Sequence, residues 1–224
     1  HPHGMVCPWV YRRDVQPSHV GVRSGARFYE SPNVAEHSGL ADFAIATADQ
    51  LDQSSEPFGE GWVTDLTNEQ VEQYSVLINV VLDCVREAGG DLTSDVACEV
   101  LSTLPYPLRR VMEHHGLGRF RVVQKAKLET PEDVYRIEQA CSNDWIMMGN
   151  HDTPPIWMLA RGWCDGRRGH DWGEYLADRL LIPETSRAAF VRQVSSEPGE
   201  LVHALFAAIL ASNAQYVSVF FTDL

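Results

Sequence analysis

The chain has 224 residues, with 18 Lys+Arg against 31 Asp+Glu, a formal net charge of −13. A content of 44% hydrophobic and 22% charged residues is that of a globular chain, which excludes disorder for the bulk of it and supplies one large core or two small ones. No run of about 18 apolar residues occurs, so no membrane span is expected, and the acid surplus argues against a nucleic-acid partner, whose backbone is gripped by Lys and Arg. A neutral or cationic partner suits this charge.

The opening His1-Pro2-His3-Gly4 has neither a basic n-region nor an apolar h-region, so no signal peptide is expected. It also lacks an initiator Met, which reads as a segment of a longer protein. Five widely spaced cysteines, Cys7, Cys84, Cys98, Cys141 and Cys164, form no CxxC pair. They read as reduced thiols of a cytoplasmic protein rather than a zinc ribbon or disulfide scaffold.

In chain order, residues 1–66 are rich in Pro and Gly and read as a long loop region with short helical pieces, lying over a site. Thr67-Asn68-Glu69-Gln70 is a capping box. Apolar residues at helical spacing follow at Val71, Tyr74, Ile78 and Leu82, and Gly89-Gly90 ends that helix. Leu92 to Val100 then reads as a strand, Pro107 to His115 as a helix, and Arg119 to Ala126 as a strand. Pro131 with Glu132 and Asp133 predicts a helix reaching Cys141. Trp145 to Gly149 reads as a strand, residues 155–163, 171–181 and 186–211 as helical, and Gln215 to Phe221 as the last strand. This alternation predicts an α/β fold on a parallel sheet, with the four strands as parallel neighbours in that order.

Parallel sheets present chemistry at the C-terminal ends of their strands. That rule selects Glu99, then Gln124 and Lys125, then Asn150, His151 and Asp152, then Asp223. Two carboxylates at neighbouring strand ends, Glu99 and Asp152, suit acid/base work on a glycosidic bond, and Trp9, Tyr11 and Trp157 could stack on sugar faces. The bland alternatives are a helix cap or ion-pair partner for each carboxylate and a core position for each Trp.

Residues 149–157, GNHDTPPIW, resemble the final catalytic block of the amylomaltases, the 4-α-glucanotransferases of glycoside hydrolase family 77, which reads T-H-D-N or, in a bacterial branch, G-N-H-D-T. Glu99-Val100-Leu101-Ser102-Thr103-Leu104-Pro105 and the LRRVMEHHGLGRFRVVQKA after it resemble the block E-D-L-G-T-x-P, its helix, H-G-L-P-G and a strand holding a Gln. HPHGMVCPWVY is similar to the segment after the family's nucleophile, and SNAQYVSVFFTDL to its last barrel strand.

The resemblance spans nearly the whole chain and implies the C-terminal half of a (β/α)8 TIM barrel with an inserted loop and helical subdomain near the N-terminus. On that reading residues 1–66 are the active-site loop region and 67–224 the barrel units of one catalytic domain. It implies Glu99 as general acid/base and Asp152 as the carboxylate that binds the sugar at the cleavage point. His151 and His1 would hydrogen-bond that sugar, Gln124 and Asn150 would line the site, and Trp9 and Trp157 would pack against glucan. Its partners are α-1,4-glucan or maltooligosaccharide donors and acceptors and glucose, with no cofactor and no metal.

The chain departs from the family in three places. The nucleophilic Asp would immediately precede His1, Val100 stands where the family has Asp, and Phe221-Thr222-Asp223 stands where it has Leu-Gln-Asp. The 224 residues alone are therefore expected to be inactive. A rival reading takes Gly149-Asn150-His151-Asp152 as the GNH[DE] block of calcineurin-like metallophosphoesterases, with Gly90-Asp91, Asp95 and Gly169-His170 as looser partners. A third is an inactive glucan-binding segment.

Overall fold

The computed structural model describes residues 5, 9–10, 26–27, 45–55, 60–100 and 104–224. They fall into two units, 1–117 and 118–224, each with its own core. Most of the predicted loop region, His1 included, lies outside the described residues.

In the first unit β1 (Trp9–Val10) pairs antiparallel with β2 (Ala26–Arg27). Helix α1 (Asn68–Glu87) begins as its sequence requires: Gln70 N donates to Thr67 Oγ1 at 3.2 Å, and Thr67 N donates to Gln70 Oε1 at 2.8 Å. It ends where Gly89, at φ 79°, lets Gly89 N reach Arg86 O and Gly90 N reach Val85 O, both at 2.9 Å. Its inner face is Val71, Tyr74, Ser75, Ile78 and Leu82, at the three- and four-residue steps of a helix.

The predicted strand 92–100 is corrected here. Asp91 Oδ1 accepts from Thr93 N at 2.8 Å and Ser94 N at 3.3 Å, so a cap turns Leu92–Asp95 into a short helix, α2. The strand itself shrinks to Ala97–Cys98, β3. Cys98 is buried, and burial pushes its thiol up to about 11. Helix α3 (Tyr106–His115) stops at Gly116, φ 66°, as predicted.

The second unit is a parallel sheet under helices. β4 (Gly118–Val122), β5 (Trp145–Met147) and β6 (Tyr216–Ser218) stand side by side with β5 in the middle; Phe120 pairs Trp145, which pairs Tyr216. The parallel order of these three is as predicted, but each strand is shorter. β4 passes into a 3-10 turn at Val123–Lys125, and the turn Phe221–Asp223 follows β6.

The helix predicted over 131–141 does not form; only Ile137–Gln139 make a 3-10 turn. Side chains take the backbone groups a helix ladder would use. Arg121 Nη1 donates to Val134 O at 2.6 Å, and Ile137 N donates to Tyr175 Oη at 2.8 Å.

After β5 come α4 (Ile156–Cys164), α5 (Arg167–Arg179), α6 (Glu184–Ser196) and α7 (Pro198–Leu210). The predicted single helix over 186–211 is thus two, because Pro198 forces Glu197 into extended backbone (φ −117°, ψ 105°) and cannot continue a helix from behind. Ile146, Ile156, Trp172, Leu176, Leu201 and Leu205 are wholly buried between sheet and helices; each such side chain contributes about 1.5–3 kcal/mol. The architecture is mixed α/β, mostly helical, on parallel strands. No described helix is long and apolar enough to cross a membrane.

Candidate functional site

The strand ends of the second unit hold six of the predicted residues, Gln124, Lys125, Asn150, His151, Asp152 and Asp223. Beyond β5 the chain makes a turn at residues 150–153 that is tied to itself. Thr153 N and Thr153 Oγ1 donate to Asn150 O at 3.1 and 2.9 Å, Asn150 N donates to Thr153 Oγ1 at 2.8 Å, and Asp152 N donates to Asn150 Oδ1 at 3.1 Å. Asn150 is therefore spent on shaping the turn. His151 and Asp152 project from its tip, 68% and 55% exposed, with His151 Nε2 3.3 Å from Asp152 Oδ1. At that exposure the pair adds little stability, and both side chains are open to an incoming molecule.

Beneath the turn, Gln124 comes from the end of β4 and is 5% exposed. Its amide donates to Pro154 O at 3.0 Å, while its buried Oε1 has no hydrogen-bond donor. Asp223, 1% exposed, comes from the turn after β6. Its Oδ1 accepts from Ile156 N at 2.9 Å, and its Oδ2 is likewise without a donor. The two orphan oxygens converge on Gly149. A Cβ there would lie 2.9 Å from Gln124 Oε1, 3.0 Å from Asp223 Oδ2 and 2.8 Å from Thr153 Oγ1, so no larger residue fits unless these atoms move.

Trp157, on the first turn of α4, is half-buried against the core; its indole N–H donates to Asp223 O at 3.2 Å, and its ring meets His203 edge-on at 6.2 Å. Glu99 belongs to the first unit, half-buried directly after β3. Trp9 lies in β1, and His1 lies outside the described residues.

Of the looser partners in the metal reading, Asp91 and Asp95 are engaged locally. Asp91 caps α2, Asp95 Oδ2 accepts from Asp91 N at 2.8 Å, and His170 is exposed on α5. Among the described residues no three His, Cys, Asp or Glu side chains gather as metal ligands would.

The strand-end rule selects Gln124, Lys125, Asn150, His151, Asp152 and Asp223 from the sequence; Thr153 and Gly149 escape it. The signal for Thr153 was its three-residue spacing from Asn150, a turn pattern; nothing in the sequence alone pairs Gly149 with Asp223. No protein-family model matches the chain, no curated protein is detectably similar to it, and no solved structure matches it.

Proposed function

We propose that the chain is the C-terminal half of a (β/α)8 catalytic barrel that transfers α-1,4-glucan segments between maltooligosaccharides. The observation that carries this reading is the placement of Gln124 and of the Asn150-His151-Asp152 turn at the C-terminal ends of the adjacent parallel strands β4 and β5. That is where parallel α/β sheets present their reacting groups. The motif likeness around Glu99 and residues 149–157 supplies the substrate class.

In this reading an exposed carboxylate, Asp152, accepts hydrogen bonds from two hydroxyls of the sugar at the cleavage point, and His151 donates to a neighbouring one. Such contacts strengthen as the ring flattens toward an oxocarbenium ion. Glu99 gives its proton to the departing glycosidic oxygen. A carboxylate nucleophile about 5 Å across the bond takes the sugar as a covalent ester; none of the carboxylates described above is assigned to that part. Glu99, now a base, then deprotonates the 4-hydroxyl of an acceptor glucan. Attack by that oxygen releases the nucleophile and yields the longer chain. Transfer prevails over hydrolysis when sugar fills the acceptor side and keeps water out.

The test is Glu99→Gln in the full-length protein. The amide keeps the shape but cannot pass the proton, so maltotriose disproportionation falls by about a thousandfold while glucan binding persists. Transfer at the wild-type rate removes Glu99 from the mechanism. Hydrolysis of a phosphodiester that requires added Mn²⁺ and stops with a chelator would favour the metallophosphoesterase reading instead.

A further inference from the structure

Asp223 sits in a turn that reaches back 67 residues in sequence to the start of α4. α4 has no cap of its own, since Pro155 precedes it and offers no side-chain acceptor. Asp223 Oδ1 takes that place by accepting from Ile156 N, and its backbone carbonyl holds the Trp157 indole. On the other side Gln124 Nε2 holds Pro154 O. Gln124 Oε1 and Asp223 Oδ2 then close on Gly149, so that a Cβ there would have to displace them. The exposed tip that carries His151 and Asp152 is thus clamped before it, at Gly149, and after it, at Pro154, Ile156 and Trp157.

The clamp is held at a cost. Two side-chain oxygens are buried here without donors, a penalty set against the bonds to Pro154 O and from Ile156 N. Local rules are broken in this way where a site has to be held in one geometry.

We propose that Asp223 is a positioning residue, which together with Gln124 fixes the Asn150–Asp152 turn in the orientation that presents Asp152 to the reacting sugar. Its effect on transfer rests on the glucan reading above; its effect on the turn does not. Asn at this position keeps an oxygen to cap Ile156 N, whereas Ala loses it.

The experiment compares Asp223→Ala, Asp223→Asn and Gly149→Ala in the full-length protein, with two measurements on each. In maltotriose disproportionation, Asp223→Ala and Gly149→Ala lower kcat about 10–100-fold with KM within about twofold, because the reacting carboxylate is misplaced while remote sugar contacts survive. Asp223→Asn stays within about threefold of wild type, since it keeps the cap on Ile156 N. In amide hydrogen exchange, the two Ala variants lose protection at Thr153 and Ile156 and keep it at Ile146 and Met147. Unchanged kcat in both Ala variants, or an Asn variant as poor as the Ala variant, overturns the assignment. If Asp223→Ala does not fold, Gly149→Ala carries the same comparison. If the wild type transfers no glucan, the functional reading falls, and exchange decides the rest: protection at Thr153 and Ile156 unmoved by either substitution removes the clamp as well.

Discussion

Helices α1 and α7 are both rich in apolar residues, yet they live differently. α7 buries Leu201, Val202, Ala204, Leu205, Ala208 and Ile209, because α4, α5 and α6 pack around it. α1 buries one face and leaves Val76, Leu77, Val80 and Val81 at 59%, 48%, 63% and 40% exposure. Composition therefore does not decide burial; the number of surrounding elements does. The two units differ in their charges as well. The first unit carries pairs such as Arg86–Asp83 and His114–Glu72 on its surface. The second has surface pairs too, such as Arg167–Asp171, and also builds an ion pair into its interior, Arg121–Asp144.

The strongest way to break that contrast is Asp144→Ala. Asp144 is 3% exposed and accepts from Arg119 N at 3.0 Å, Cys141 N at 2.8 Å and Arg121 Nε at 2.8 Å. Removing it strands the buried Arg121 guanidinium and frees the long connection between β4 and β5, so chemical denaturation should show a loss of about 3–5 kcal/mol. A loss under 1 kcal/mol would mean that this interior pair is no stronger than a surface one.

Leu205→Ala against Val80→Ala sharpens the comparison of the two helices. Leu205 is wholly buried and its truncation leaves a cavity, costing about 2–5 kcal/mol. Val80 is 63% exposed, and its truncation stays within about 0.5 kcal/mol. Similar losses in the two variants would show that the outer face of α1 is covered in solution.

The smallest effect is a pH dependence. Burial pushes the Glu138 carboxyl up, but the Tyr175 hydroxyl at 2.6 Å and Arg136 outweigh it, so Glu138 sits below its ordinary value. Tyr175 is raised in turn, by burial first and then by Glu138. A depressed carboxyl stabilises the fold above its unfolded value, about 4.3, and loses that contribution as pH falls through the folded value. Wild type should thus lose stability below about pH 4.3 more steeply than Glu138→Gln, as melting curves across that range will read.

Sequence and structure agree where signals are local. Thr67 with Gln70, Gly89-Gly90 and Gly116 mark helix ends by chemistry contained within a few residues. The parallel order of β4, β5 and β6 was legible because apolar runs alternate with helical ones. Residues 131–141 misled because Pro131 and its acidic neighbours do favour a helix start, while Arg121 and Tyr175, distant in sequence, claim the backbone groups. Leu92–Val100 misled because the cap at Asp91 outcompetes β-propensity over a few residues. At the candidate site, the tip residues were legible from their motif. The clamp beneath them was not, because Gln124, Gly149 and Asp223 meet only once three strands are side by side.

Glucan transfer is tested most sharply by incubating the full-length protein with maltotriose and isotopically labelled glucose in the presence of a chelator. A glucanotransferase yields a ladder of longer and shorter maltooligosaccharides with label entering their reducing ends, and Asp152→Asn loses the ladder. No ladder from the wild type, or an undiminished ladder from Asp152→Asn, would contradict the glucan reading.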